Sequence, residues 1–113
     1  MDLVVEYGGR WYVIDYKSNW LGPSPEDYSR EAVAAAMRAS AYPLQYLLYL
    51  VALHRYLGLK LPGYDYERHV GGVFYLFVRG MDPAAGTERG VWFDRPAAAF
   101  LRELDELFRG GGE

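Results

Sequence analysis

The chain contains no cysteine among its 113 residues. Disulfide frameworks, thiolate zinc sites and thiol nucleophiles are thereby excluded. Histidine is nearly as scarce: with only His54 and His69, an all-imidazole zinc site would be short of ligands. No apolar run approaches the roughly 18 residues of a membrane span, and no basic-then-apolar leader stands before the first strand pattern. A soluble, reducing, cytoplasmic setting is therefore the expectation. Positive charge is not in excess either, with 12 Lys and Arg against 15 Asp and Glu and a net charge of −3. That balance argues against a non-specific nucleic-acid coat protein, but not against a nuclease, whose metal site must itself be acidic.

What is abundant is apolar and aromatic. Hydrophobic residues make up 51% and charged residues 24%, enough to bury one core, and residues 1–113 read as a single domain. The aromatic share of 17% includes 11 Tyr, many of which must serve half-buried roles.

Residues 2–7 already read as a strand, Gly8 and Gly9 as a tight turn, and residues 10–17 as the returning strand, rich in β-branched and aromatic side chains. A chain that opens in mid-strand is expected to be a piece of a longer protein whose other part carries neighbouring strands. Pro23 and Pro25 close the hairpin region; Ser24 or Ser29 is suited to cap a helix running to Met37 and Arg38. Pro43 suits the first turn of a second helix over 44–57, apolar on almost every side and so expected to be buried all round. Residues 64–69 look irregular. Residues 71–78 form a continuous apolar strand of the kind covered on both faces. A loop over 82–90 and a short extended piece over 91–93 follow, then a helix from Pro96 to Phe108 stopped by Gly110, Gly111 and Gly112. Its stripe is Phe100, Leu101, Leu104, Leu107 and Phe108, with Arg102, Glu103, Asp105 and Glu106 toward water. The class is mixed α/β, with helices covering a small sheet.

The chemistry concentrates in Asp15, Tyr16 and Lys17. Strand residues two apart share a face, so Asp15 and Lys17 project together and Tyr16 is expected to point the other way, into the core. With the turn centred on Gly8 and Gly9, Tyr7 pairs with Arg10 and Asp2 falls opposite Asp15. Opposed carboxylates repel at Cβ separations of roughly 5 Å, and a cation between them relieves the repulsion. Two carboxylates with oxygen ligands and water suit magnesium or manganese. The plain alternative is a solvated strand face with a weak surface ion pair. Gln45 and Tyr49 lie four apart and share one face of the second helix; by spacing alone they are polar relief on a crowded helix.

Asp2, the Asp15-Tyr16-Lys17 strand and the Gln45/Tyr49 pair together resemble the PD-(D/E)xK nuclease superfamily. Four segments in order, at residues 15–22, 44–49, 53–57 and 71–80, are similar to one branch, the RecB-type nuclease domains of the bacterial exodeoxyribonuclease V helicase–nucleases. The likeness runs from Asp2 to about Met81. It implies a restriction-endonuclease-like α/β fold, here partial, with a helix and strand upstream of Asp2 missing. It also implies that Asp2 and Asp15 bind Mg2+ (or Mn2+), with the main-chain carbonyl of Tyr16 as a further ligand. Lys17 would position or activate water or stabilise charge on the phosphate, and Gln45 and Tyr49 would lie near the site and the DNA backbone. The implied partners are DNA, a helicase region, and RecC- and RecD-like subunits, acting in double-strand break processing and recombinational repair. His54 and His69 stand outside this pattern. Without upstream acidic and histidine positions, the site is expected to bind metal weakly and to cut poorly by itself. Two other classes remain open: a silent nuclease-like scaffold, and a DNA-binding module that the acidic balance disfavours.

Overall fold

Gly8 and Gly9 take φ values of 61° and 82°, left-handed angles that a two-residue hairpin turn demands and glycine adopts without strain. They join β1 (Leu3–Tyr7) to β2 (Arg10–Lys17) as an antiparallel pair, with Tyr7 opposite Arg10 and Leu3 opposite Ile14. This is the register the turn predicts. The computed structural model describes residues 3–82, 84 and 89–110, so Asp2, most of the loop over 82–90 and the glycines at 111 and 112 lie outside the described residues.

β3 (Val70–Phe77) runs parallel to β2, setting Asp15 beside Tyr75 and Lys17 beside Phe77, and β4 (Val91–Asp94) pairs antiparallel with β3. The sheet order is β1-β2-β3-β4. Parallel neighbours require a long crossover, which α1 (Arg30–Arg38), α2 (Tyr42–Lys60) and a single helical turn, α3 (Tyr66–His69), supply. α4 (Ala98–Gly110) follows β4 and packs on α2. Both candidate serines cap: Ser24 opens a 3-10 turn over Pro25–Tyr28, and the Ser29 hydroxyl accepts from the Ala32 N–H at 3.2 Å to open α1. The mixed sheet with flanking helices is the α/β architecture expected, and no helix among the described residues is long and apolar enough to cross a membrane.

The core lies on one face of the sheet. Val13, Val73, Tyr75 and Phe77 are buried there, within one cluster with Val33 and Met37 of α1, Leu50, Leu53 and Leu57 of α2, and Leu101 of α4. Four expectations fail, the first two because the helices cover this face far more fully than the other. Tyr16 does not enter the core: it is 48% exposed, whereas Asp15 is 3% exposed on the covered side. β3 is not covered on both faces, since Phe74 and Leu76 on the far side are only half-buried. α2 is longer than 44–57 and not buried all round, because Leu44, Leu48, Tyr56 and Leu59 are exposed. In α4 only Leu101 of the predicted stripe is buried; Leu104 is half-buried, and Phe100, Leu107 and Phe108 are exposed. Residues 66–69 also differ from the irregular stretch expected, because the Asp65 carboxylate accepts from the Arg68 N–H and nucleates a turn.

Asp105, expected in water, is buried instead and ties α4 to α2: its carboxylate accepts from Arg55 Nε at 2.5 Å and Arg109 Nε at 3.3 Å. Burial by itself would raise the carboxyl's pKa, but the Arg55 hydrogen bond and the charges of Arg109 and Arg55 outweigh it and hold it below the ordinary value. A carboxyl whose pKa is depressed by folding stabilises the fold above its unfolded pKa and ceases to do so as pH falls through the folded value. The wild type should therefore lose melting temperature as pH drops below about 4. Asp105→Asn should flatten that dependence and cost about 1–2 kcal/mol at neutral pH, Arg55 being partly solvent-screened. Thermal melts of both proteins at pH 7 and pH 3 check this.

Candidate active site

The covered face of β2 carries Asp15 and Lys17 next to each other, two residues apart on one side of the pleat. Lys17 Nζ lies 3.0 Å from Asp15 Oδ2, with the Asp15 side chain 4% and the Lys17 side chain 15% exposed. This is a buried ion pair rather than the solvated surface pair of the plain alternative, and burial makes the loss of either partner expensive.

α2 closes over the pair. Its start at Tyr42, with Pro43 in the first turn, aims Tyr42 and Gln45 at the sheet, three residues apart on one face. Lys17 Nζ stands 4.3 Å from the centroid of the Tyr42 ring and 5.3 Å from that of Tyr75, so two ring faces complement the ammonium where water is largely shut out. Gln45 Oε1 accepts from Lys17 Nζ at 3.4 Å and from the Tyr75 hydroxyl at 2.6 Å. Two donors converging on one oxygen fix which way the amide faces. Burial, reinforced by the charge of Asp15, pushes the Tyr75 phenol well above its ordinary pKa, which keeps the phenol protonated and able to donate. From the next residue of α2, the Tyr46 hydroxyl donates to Asp94 of β4, and its ring meets Trp92 edge-on. The helix is thereby docked across β2, β3 and β4 alike.

Of the residues singled out from sequence, Asp15, Lys17 and Gln45 are brought together, with the Tyr16 carbonyl between the first two on the same strand. Tyr49, one turn beyond Gln45, is half-buried against the core. Asp2 lies outside the described residues, next in sequence to Leu3, whose partner is Ile14. His54 is half-buried, its Nδ1 2.7 Å from the Tyr64 hydroxyl, and burial lowers its pKa. His69 closes its own turn, its ring nitrogen accepting from the Asp65 N–H at 2.9 Å. Neither imidazole belongs to the Asp15 site. Among the described residues no three carboxylate, imidazole or thiol groups converge on one point. Tyr42 and Tyr75 were not singled out from sequence. The abundance of Tyr hinted at half-buried phenols, but the pairing of Asp15 with Tyr75 across parallel strands and the docking of α2 over it are what identify these two.

Among the described residues the donors present are oxygens, the Asp15 carboxylate and the Tyr16 carbonyl, with no imidazole converging on them. Such a set fits a hard cation of the magnesium or manganese kind. Removing the Tyr75 hydroxyl tests how the site is held. Tyr75→Phe leaves Gln45 Oε1 with Lys17 alone and should cost about 1 kcal/mol in urea unfolding, without abolishing the fold.

A model of the PD-(D/E)XK nuclease superfamily matches residues 1–110. Over 110 residues the chain is 50% identical to the RecBCD enzyme subunit RecB of Escherichia coli strain K12, covering 97% of this chain and 9% of that protein. It is 49% identical over 108 residues to the subunit of the same name from Haemophilus influenzae, covering 96% of this chain and 9% of the relative. With the one from Mycolicibacterium smegmatis it shares 45% over 117 residues, covering 95% and 11%. The chain thus spans about a tenth of the length of these relatives. Given this match along nearly its whole length, and an acid and a lysine paired on one face of a sheet strand, the chain belongs to the PD-(D/E)XK nuclease superfamily.

Proposed function

We propose that residues 1–113 form part of a magnesium-dependent deoxyribonuclease domain of the RecB type. It hydrolyses DNA phosphodiester bonds in double-strand break processing and recombinational repair, as an exodeoxyribonuclease of the exodeoxyribonuclease V kind. In this reading it works in the cytoplasm, beside a helicase region and RecC- and RecD-like subunits. The observation that carries the reading is the shielded Asp15–Lys17 pair under Gln45, in a chain of this superfamily.

The reading gives the metal to Asp15, to the Tyr16 carbonyl and to Asp2, with manganese as a substitute ion. When bound, the ion supplies positive charge at the phosphoryl oxygens and a more acidic water. Every other role falls to side chains of this chain. Lys17 places a compact positive charge where the phosphate gains negative charge, and an ammonium fixed beforehand by Asp15, Gln45 and the Tyr42 ring needs little rearrangement to do so. Gln45 is a positioning residue: its amide oxygen, held by Tyr75, sets where Lys17 points. Gln45 and Tyr49 also take the DNA backbone along their shared helix face.

The test is degradation of linear DNA, with covalently closed circular DNA as control, while magnesium is titrated into the protein in a calorimeter. Heat on titration together with loss of linear DNA supports the reading. Heat without cleavage indicates a site that needs further ligands, and no heat indicates a catalytically silent nuclease-like scaffold.

A further inference from the structure

A second concavity opens beyond the far end of β2, a cleft of about 500 Å3 lined in part by Trp20, Tyr28, Arg79 and Arg89, within the size range of small-ligand sites. It is fastened to the candidate active site at two points. Arg79 Nε donates to the carbonyl of Ser18, the residue after Lys17, at 2.6 Å. The Tyr42 hydroxyl, on the ring that covers Lys17, donates to Asn19 Oδ1 at 3.2 Å. On the other side, the Leu21 N–H donates to the hydroxyl of buried Tyr28 at 3.0 Å. The Tyr28 ring in turn lies so close over Gly80 that a Cβ there would overlap it.

Trp20 stands between these two fixed neighbours, yet its own side chain is 65% exposed. It is not part of the buried core. A large indole held out on a braced loop loses little freedom when a flat partner stacks on it. Beside it are two guanidinium groups. The bond to Ser18 uses one of the five N–H donors of Arg79. Arg89 Nη2 reaches Glu26 only at 3.9 Å, and that carboxylate is itself 77% exposed, a loose contact that a phosphate can displace. The acid that also lines the cleft, Asp82, turns one carboxylate oxygen to the Ala84 N–H.

We propose that this cleft binds single-stranded DNA next to the bond being cut, with one unpaired base stacked on Trp20 and an adjoining phosphate on Arg79 and Arg89. The inference rests on the nuclease reading and names the residues of this chain that hold the strand beside the site. A base paired in a duplex has its faces already stacked, so only an unpaired strand can offer one to the indole.

The full 113-residue chain is titrated in EDTA, so that nothing is cut, against a fluorescein-labelled oligothymidylate of about eight residues and against a blunt hairpin duplex. Wild type should bind the single strand with quenching of tryptophan emission, and bind the hairpin at least tenfold more weakly. Trp20→Ala should lose roughly tenfold or more in affinity for the single strand, whereas Trp20→Phe should stay within about threefold of wild type and lose the quench. Replacing Arg79 and Arg89 by alanine should lower the slope of log affinity against log salt by about 0.7 for each phosphate contact removed. Equal affinity of wild type and Trp20→Ala, equal binding of hairpin and single strand, or no binding by wild type overturns the inference. Magnesium-dependent cleavage is measured on the same preparations. Cleavage with Trp20-independent binding sinks the inference and leaves the nuclease reading standing; Trp20-dependent binding with neither cleavage nor magnesium heat leaves the strand-binding cleft standing and sinks the nuclease reading.

Discussion

Asp15→Asn is expected to abolish magnesium binding heat and to slow linear DNA degradation by on the order of 10^3-fold or more, the scale of losing several kcal/mol of transition-state charge stabilisation. Asparagine matches aspartate in shape, so the carboxylate's charge is the main thing removed. The side chain sits 4% exposed beneath α2. Folding is affected less than binding. With Asp15 neutral, Lys17 keeps Gln45 and the faces of Tyr42 and Tyr75, so its ammonium is only partly uncompensated. The variant should fold, with a melting temperature lowered by a few degrees and no longer raised by magnesium. Calorimetric titration, a gel assay on linear DNA and thermal melts with and without magnesium measure the three effects. Unchanged binding heat in a folded Asp15→Asn protein would remove Asp15 from the metal site.

The hairpin could be read from sequence because its causes are local. Two glycines set the turn, the turn sets the register, and the Tyr7–Arg10 and Leu3–Ile14 pairs follow. The caps at Ser24 and Ser29 are equally local. What could not be read depends on which face of the sheet the helices choose. β2 alternates between two faces that both carry apolar residues, Trp11 and Val13 on one and Tyr12 and Ile14 on the other. Periodicity therefore pairs Asp15 with Lys17, and opposes Tyr16 to both, without saying which side is covered. The covered side proved to be that of the charges. The near-uniform apolar pattern of α2 hid its exposed Leu44, Leu48 and Leu59 in the same way, and the acidic run of α4 hid the inward Asp105. The site was legible through Asp15, Lys17 and Gln45, residue types with little structural reason to share a buried face. Tyr42 and Tyr75 were not, since their approach to Lys17 depends on a parallel pairing of residues 60 apart, Asp15 with Tyr75, and on the helix lying across it.

Lys17→Met separates catalysis from metal binding. Methionine keeps most of the lysine stem's volume against Tyr42 and Tyr75 but brings no charge, so the packing survives while the ammonium is lost. Cleavage should fall by roughly 10^2- to 10^3-fold, the usual effect of removing one fixed charge or donor from a developing anion. Magnesium should still release heat, because the oxygen ligands remain. The fold itself reports the change. Asp15 loses its ion pair with Lys17, which costs about 3–5 kcal/mol in the absence of metal. Magnesium bound at that carboxylate should return much of this, so the ion should raise the melting temperature of Lys17→Met more than that of wild type. Arginine should not rescue: the planar guanidinium is wider than an ammonium, and the space beside Asp15 is bounded by Gln45 and by two rings within 4.3 and 5.3 Å of Nζ. Calorimetry, melts across a magnesium series and the linear DNA assay on Lys17→Met and Lys17→Arg decide it. A Lys17→Met protein whose melting temperature magnesium raises no more than it raises wild type would show that Asp15 and the ion do not meet.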